Sequence, residues 1–240
     1  MNRGEEKIGE KFQQATKYAR FSDLSEKTRP PGKRPSPQES LITLSEPDLE
    51  KGPNLWKTLL KRRSIRDYAR TSLSLQDLSN LLWATQGITA KADFPWYRTA
   101  PSAGALHPID TYLVVNRIQE LRPGIYFFHV GNFRLEMKKE GNFSRQIAEA
   151  ALGQGLAADA AVVFIWVAVI RRSRQKYHQR AYRYIYLDCG HIGQNLYLAA
   201  TAMSLGCCGI AAFFDDEVND LVGVDGKEET AIYLAAVGKR

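Results

Sequence analysis

The sequence is poor in the residues that staple small secreted folds or ligate metals: its 240 residues hold 3 cysteines and 4 histidines. Cys207 and Cys208 are adjacent, and no second cysteine pair or close histidine pair accompanies them, so neither a disulfide framework nor a metal pattern is present. A disulfide across one peptide bond would close a strained ring, and dithiol exchange sites more often read C-x-x-C. The pair is therefore read as two small apolar side chains in a reducing, cytoplasmic setting. Long hydrophobic runs are also missing. The longest, AAVVFIWVAVI at 160–170, falls well short of the ~20 residues that span a bilayer as a helix, and its β-branched and aromatic content predicts a buried central strand. The polar start, MNRGEEKIGEKF, shows no signal peptide. There is no GxxxxGK[ST] loop, no GxGxxG between a strand and a helix, no internal repeat and no low-complexity tract.

What is present is an ordinary globular balance, 44% apolar and 25% charged, with enough chain to bury a sizeable core. The net charge of +7 and pI near 9.3 suggest an anionic ligand, nucleic acid or an acidic surface. The cations are not interleaved with aromatics as in a single-strand groove, and they follow no DNA-reading motif, so neither nucleic acid nor membrane is expected as a partner. Residues 1–50 read as an arm and linker: IGEKFQQATKYARF predicts one short amphipathic helix, and RPPGKRPSPQES disfavours helix and sheet alike. Residues 51–240 form the domain. Helices are predicted over 55–62 and in SLSLQDLSNLLWATQG, where Ser74 and Asp77 are spaced as a capping pair and Gly87 is the stop. Strands are predicted at 110–116, 124–130, 133–138, 160–170 and 229–239, with a Gly-Asn turn between the second and third. The segment YIYLDCGHIGQNLYLAATAMSLG is apolar all round, which predicts a helix buried in a core or in a subunit interface. The class is α+β, helices packed on a sheet of about five strands.

Three stretches hold chemistry. In KRRSIRDY, three arginines surround Ser64 at the predicted C-terminal turn of the first helix. Cations there suit the helix dipole, and guanidinium forks beside a hydroxyl also suit a phosphate; both readings stand. RTAPSAGALHPIDTYLVV is a small-residue loop between prolines, either a tight loop without a ligand or one whose backbone approaches a flat ligand. LGCCGIAAFFDDEV is a second small-residue loop, following the long helix.

The order and content of RRSIRDY, LSNLLWATQGI, PSAGALHPIDTYLVV, GIYFF, DCGHIGQNLYLAATAMSLGCCGIAAF and AAVGKR resemble the FMN-dependent nitroreductase family, most closely its azoline-dehydrogenase, SagB-type branch. The resemblance spans roughly residues 50–240, and the arm with its proline-rich linker is similar too. It implies a nitroreductase-like fold and a homodimer, with the long helix at the centre and FMN in the interface. By that resemblance Arg62, Ser64 and Arg66 hold the flavin phosphate and ribityl chain, helped by Lys239 and Arg240. Pro101, Ser102, Ala103 and Gly104 pass beside the flavin, and Gly209, Ile210 and Ala211 present a backbone N–H toward flavin N5. Hydride then comes from NADH or NADPH for a nitroaromatic or quinone acceptor, or from a thiazoline or oxazoline ring in a peptide substrate. For the ring proton the candidates are Tyr182, Tyr184, Lys176 and His178 in RQKYHQRAYRY, which reads equally as a solvated basic loop, and His107, which reads equally as a structural histidine. His191 is assigned to the core. The alternative function is a non-catalytic FMN-binding or partner-binding module.

Overall fold

The computed structural model describes residues 7–18, 41–48, 52–90 and 96–240; the proline-rich stretch lies outside the described residues. The long apolar run forms strand β7 (Val162–Val169), buried at every position. Its side chains alternate between two cores, Val162, Phe164 and Trp166 in one and Val163, Ile165 and Val167 in the other, as the period of two in a strand requires. On either side lie β4 (Ile109–Val115) and β9 (Glu229–Lys239), and beyond β4 come β5 (Gly124–His129) and β6 (Arg134–Glu140). These are the five expected strands. The sheet has seven, because β1 (Leu41–Thr43) and β8 (Leu205–Ile210) add the two edges, in the antiparallel order β1-β6-β5-β4-β7-β9-β8. The second edge corrects the sequence reading: LGCCGI was expected as a loop and is a strand paired with β9 from Leu205↔Lys239 to Ile210↔Leu234. Its small side chains lack the strand signature, yet the partner strand supplies the ladder. A small hairpin, β2 (Ile88–Ala90) with β3 (Tyr97–Arg98), stands apart. The β5–β6 turn is wider than a Gly-Asn pair, since His129 pairs with Arg134 and Phe133 takes φ 51°.

Helix α1 (Ile8–Ala15) forms where expected, and α2 (Leu55–Lys61) is capped by Asn54, whose side chain accepts from the Lys57 N–H. Arg62 closes α2 with ψ 125°, so Arg63, Ser64 and Arg66 lie beyond the helix and not in its last turn. In α3 (Leu75–Gln86) Ser74 and Asp77 form the expected capping box; Gly87 ends it at φ −57° and leads straight into β2. Helices α4 (Ser144–Ala150), α5 (Gly155–Asp159) and α8 (Asp215–Val222) cover the second core. RQKYHQRAYRY is not a loop: it runs through α6 (Ile170–Tyr177), a 3-10 turn at His178–Arg180 and the start of α7 (Ala181–Ala202).

The long helix α7 packs on the first core through Ile185, Ile192 and Leu196, but it is not buried all round. Arg183, Leu187, Gly190, His191 and Gln194 form an exposed stripe, so His191 is a surface residue, contrary to its core assignment. The arm docks at the start of α7: the Gly9 N–H donates to Gln179 Oε1 at 3.1 Å, Tyr186 donates to Gln13, and Lys17 pairs with Asp216 at 2.6 Å. Among the described residues no helix is long and apolar enough to cross a membrane, and no His/Cys/Asp/Glu group could hold a metal.

Candidate functional site

After α2 the chain runs extended beside the ends of β8 and β9. The Ile65 N–H donates to Cys207 O at 2.9 Å, and the Ala69 N–H donates to Lys239 O at 2.9 Å. Tyr68 pins this segment: its hydroxyl donates to Ile65 O at 2.8 Å and to Ala236 O at 3.0 Å, while its ring lies over Gly206 and Gly238, which face each other across the ladder. A Cβ on either glycine would come within 2.9 Å of Tyr68, so the sheet must be bare there for the segment to seat. This seating settles the two readings of the arginines residue by residue. Arg63 turns back to donate to Leu60 O at 3.2 Å and Arg62 O at 2.7 Å, the behaviour of a solvated helix end. Arg62 and Arg66 make no ion pair among the described residues; Arg62 lies half-buried over the Tyr197 ring, 5.5 Å from its centroid, and Arg66 is exposed. Lys239, 3.8 Å from Asp77, and the terminal Arg240 lie at the same end. Two guanidinium groups without carboxylates, with the Ser64 hydroxyl between them, form a donor set that fits a phosphate.

Tyr197 of α7 links this cluster to β8. Its oxygen is 3.1 Å from Ser64 Oγ and accepts from the Gly209 N–H at 2.6 Å. Gly209, Ile210 and Ala211 were expected to offer an amide to the flavin; here the Gly209 N–H is already taken, and Ile210 pairs with β9. In the alternation of an edge strand the next outward amide is that of exposed Ala211. Cys207 and Cys208 are buried, unpaired thiols on this strand, and burial pushes the Cys207 thiol up, away from the thiolate. Beside them is a cavity of about 300 Å³ lined by Tyr186, Gly190, Gly193, Tyr197 and Tyr233. A Cβ at Gly193 would stand 2.8 Å from the Tyr233 ring.

The Pro101–Gly104 turn is held on the opposite side of α7. Asp188, buried, accepts from Ser102 Oγ at 2.5 Å and from the Ala103 N–H at 3.1 Å, and Ser102 Oγ in turn accepts from the His107 N–H at 2.9 Å. Burial, opposed by these hydrogen bonds, raises the Asp188 carboxyl above the usual carboxylate value. The turn needs this support because Gly104, Ala105 and His107 have φ of 61°, 53° and 44°, and the alanine and the histidine are strained there. Asp188 and Tyr197 are nine positions apart, about two and a half helical turns, so they project from opposite faces of α7. One chain therefore does not bring the arginine cluster and the Pro101–Gly104 turn together; the exposed stripe of α7 separates them.

Of the proton-transfer candidates, Lys176 stands at the turn: a Cβ on Gly104 would lie 2.9 Å from Lys176 Nζ and 2.5 Å from Tyr177 Oη. Tyr184 packs its ring against Tyr177, with centroids 4.7 Å apart, and its hydroxyl accepts from Arg180 Nε at 3.0 Å. Tyr182 is buried in the first core, and His178, at φ 49°, turns the chain between α6 and α7. His107 is structural in its contacts, with Nε2 3.2 Å from Trp96 O and its carbonyl accepting from Arg172. Burial first, then the Arg98 charge, lowers its pKa from 6.5 to about 4, which leaves it a weak proton acceptor at neutral pH. Sequence reasoning missed Tyr68, Asp188, Tyr197 and Tyr233. The available signal was Asp188, a lone carboxylate in an apolar helix, which on burial demands donors.

The model of the nitroreductase family matches residues 59–239, and the chain belongs to that family, whose members are generally flavin-dependent oxidoreductases. It is 33% identical over 194 residues to a presumed nitroreductase of Methanocaldococcus jannaschii, covering 81% of this chain and 94% of that protein. Among solved structures, one of a presumed nitroreductase from Anabaena variabilis is 31% identical with a TM-score of 0.69, covering 83% of this chain and 41% of that longer one. The fold is shared as well by a chain of the Escherichia coli microcin synthetase McbBCD complex with truncated pro-MccB17 bound, at 19% identity and a TM-score of 0.61, covering 83% of this chain and 78% of that one.

Proposed function

We propose that the protein is an FMN-dependent oxidoreductase that works as a homodimer and completes its flavin sites across the dimer. Arg62, Ser64 and Arg66, with Lys239 and Arg240, hold the phosphate; Pro101, Ser102, Ala103 and Gly104 border the ring, and Ala211, following Gly209 and Ile210, offers the amide. The observation that carries this reading is the pair of guanidinium groups without carboxylates, set on the face of α7 opposite the turn the same ligand needs. A second copy across the exposed stripe of α7 joins the two halves. It also covers the α2 face that leaves Leu55, Trp56, Leu59 and Leu60 exposed by 56%, 77%, 43% and 74%, an apolar patch unsuited to a monomer.

FMN, when bound, supplies two-electron hydride chemistry at N5. The chain grips the phosphate, presents rigid backbone to the ring and holds a proton acceptor nearby. Lys176 is that acceptor, its Nζ beside Gly104, with Tyr184 behind Tyr177 as a second candidate. An azoline ring in a peptide is the favoured hydride source. The motifs and the fold shared with a synthetase that holds a pro-peptide support it; NADH or NADPH with a nitro or quinone acceptor is the other pairing.

The test is the visible spectrum and mass of the purified protein. A yellow dimer by light scattering, bleached anaerobically by an azoline peptide or by NAD(P)H, is expected. A monomer with FMN bound would refute the composite site, and a yellow dimer that no donor bleaches would leave a non-catalytic flavin-binding module.

A further inference from the structure

The largest cavity is elsewhere. About 720 Å³ in volume, within the range of small-molecule sites, it opens beyond Ala105–His107, between the β5–β6 hairpin and α6. Its walls combine an apolar surface of Trp96, Leu106 and Phe127 with two guanidinium groups, Arg98 and Arg172. Asp110 is the one carboxylate in the lining, and Arg172 takes both its oxygens, at 2.6 and 3.1 Å. Arg98 has no carboxylate of its own among the described residues. It donates to Gln86 Oε1 at 2.9 Å, and Gln86 is fixed in turn by its buried bond to Thr111 at 2.6 Å. Arg98 Nε is buried with no partner. A guanidinium has five N–H donors, so this one is held in place with most of them free.

Leaving a half-buried cation without a counter-charge is costly, and the cost falls when an oxyanion enters with an apolar body against the wall. Burial and the neighbouring Arg172 pull the Arg98 pKa down to about 10, still cationic at neutral pH. We propose that this cavity is a second binding site, for a carboxylate borne on a flat apolar group, with Arg98 as the anion anchor and Trp96 and Phe127 as the apolar wall. Two sources offer that chemistry: a free aromatic acid, and the carboxylate end of a peptide that finishes in an aromatic residue.

Calorimetric titration of the protein as purified distinguishes them, with benzoate and benzamide as small probes and a tetrapeptide ending in phenylalanine, free or amidated, as the peptide probe. Benzoate or the free-acid peptide is expected to bind at least about tenfold more tightly than its neutral counterpart, the effect of one charge-assisted hydrogen bond. Binding of both acids assigns the site to the shared chemistry, and binding of the free-acid peptide alone assigns it to a peptide end. Arg98→Met should weaken the acid at least about tenfold, with Arg98→Lys in between. The Arg62→Ala, Arg66→Ala double variant should bind the acid as the parent does, which separates this cavity from the flavin site. Equal affinity for acids and amides, no binding of any probe at about 10 mM, or an unchanged affinity in Arg98→Met would overturn the proposal. Should Arg98→Met fail to fold, the acid-against-amide contrast decides on the parent protein, with Trp96→Leu expected to weaken both acids.

Discussion

The two faces of α7 solve opposite problems. On the Asp188 face the hydrogen bonds close on themselves: Ser102, Ala103 and His107 all resolve onto one buried carboxylate, and a turn with three positive φ angles is held rigid. On the Tyr197 face the bonds stop short. Arg62 and Arg66 are placed by Tyr68 and Tyr197 yet carry no counter-charge. The difference separates two uses of polar groups, one that fixes backbone for a flat ligand and one that leaves charge for an anion to neutralise.

The largest expected effect breaks the open face. Arg62→Ala with Arg66→Ala removes two charge-assisted partners, each worth about 1.5–3 kcal/mol or one to two decades of flavin affinity, while touching no buried contact. The double variant should purify colourless and melt as the flavin-free parent does. Full flavin occupancy would return both residues to the solvated helix end that Arg63 already forms.

Breaking the closed face has a different signature. Asp188→Ala strands the Ser102 hydroxyl and the Ala103 N–H, each at about 1–3 kcal/mol, which for a chain of this size lowers Tm by several degrees. Asp188→Asn keeps one acceptor and should lose about half as much. Mixing Asp188→Ala with the Arg62→Ala, Arg66→Ala chain tests the composite site directly: heterodimers should regain one flavin site per dimer. If mixed dimers stay as colourless as the arginine variant, each chain builds its own site and the two faces are unrelated.

His107 sharpens the comparison by pH. Its folded pKa of about 4 lies below the ordinary 6.5, so between those values the unfolded chain binds a proton that the folded chain does not. Stability from this group is complete above pH 6.5, falls as pH drops toward 4, and changes no further below. Because the ring is only partly enclosed, the loss should be about 1 kcal/mol. Denaturant titrations at pH 7 and pH 4 check it: His107→Gln should flatten the acid slope by that amount, and an identical slope would place the loss in other groups.

Legibility followed the same division. The central strands, the Ser74–Asp77 cap and the RRSIR cluster were readable because period, spacing and charge are local properties. The edge strand β8 was not, since Gly206, Cys207, Cys208 and Gly209 carry no strand propensity and are held by pairing with β9. Neither was the exposed stripe of α7, because Leu187, Gly190 and His191 sit in a run whose mean hydropathy hides which side faces out. Asp188 and Tyr197 became site residues only through partners 86 and 12 positions away.

The smallest effect is expected at the thiols. Cys207 and Cys208 lie on the strand whose Gly209 amide meets Tyr197, close enough to the open face to invite a redox role. Their geometry argues against it. Both are buried, Cys207 is held as the thiol by burial, and adjacent residues on a strand point to opposite sides of the sheet. What the strand needs there is small volume under Ile65 and Tyr68, and alanine supplies that with only a modest loss of packing. Cys207→Ala with Cys208→Ala should keep FMN bound and leave flavin reduction, followed by anaerobic stopped-flow absorbance, within about threefold of the parent, less than 1 kcal/mol in barrier. A fall of orders of magnitude at unchanged flavin occupancy would make the thiols part of the chemistry and would move the reactive face from the Pro101–Gly104 turn to β8.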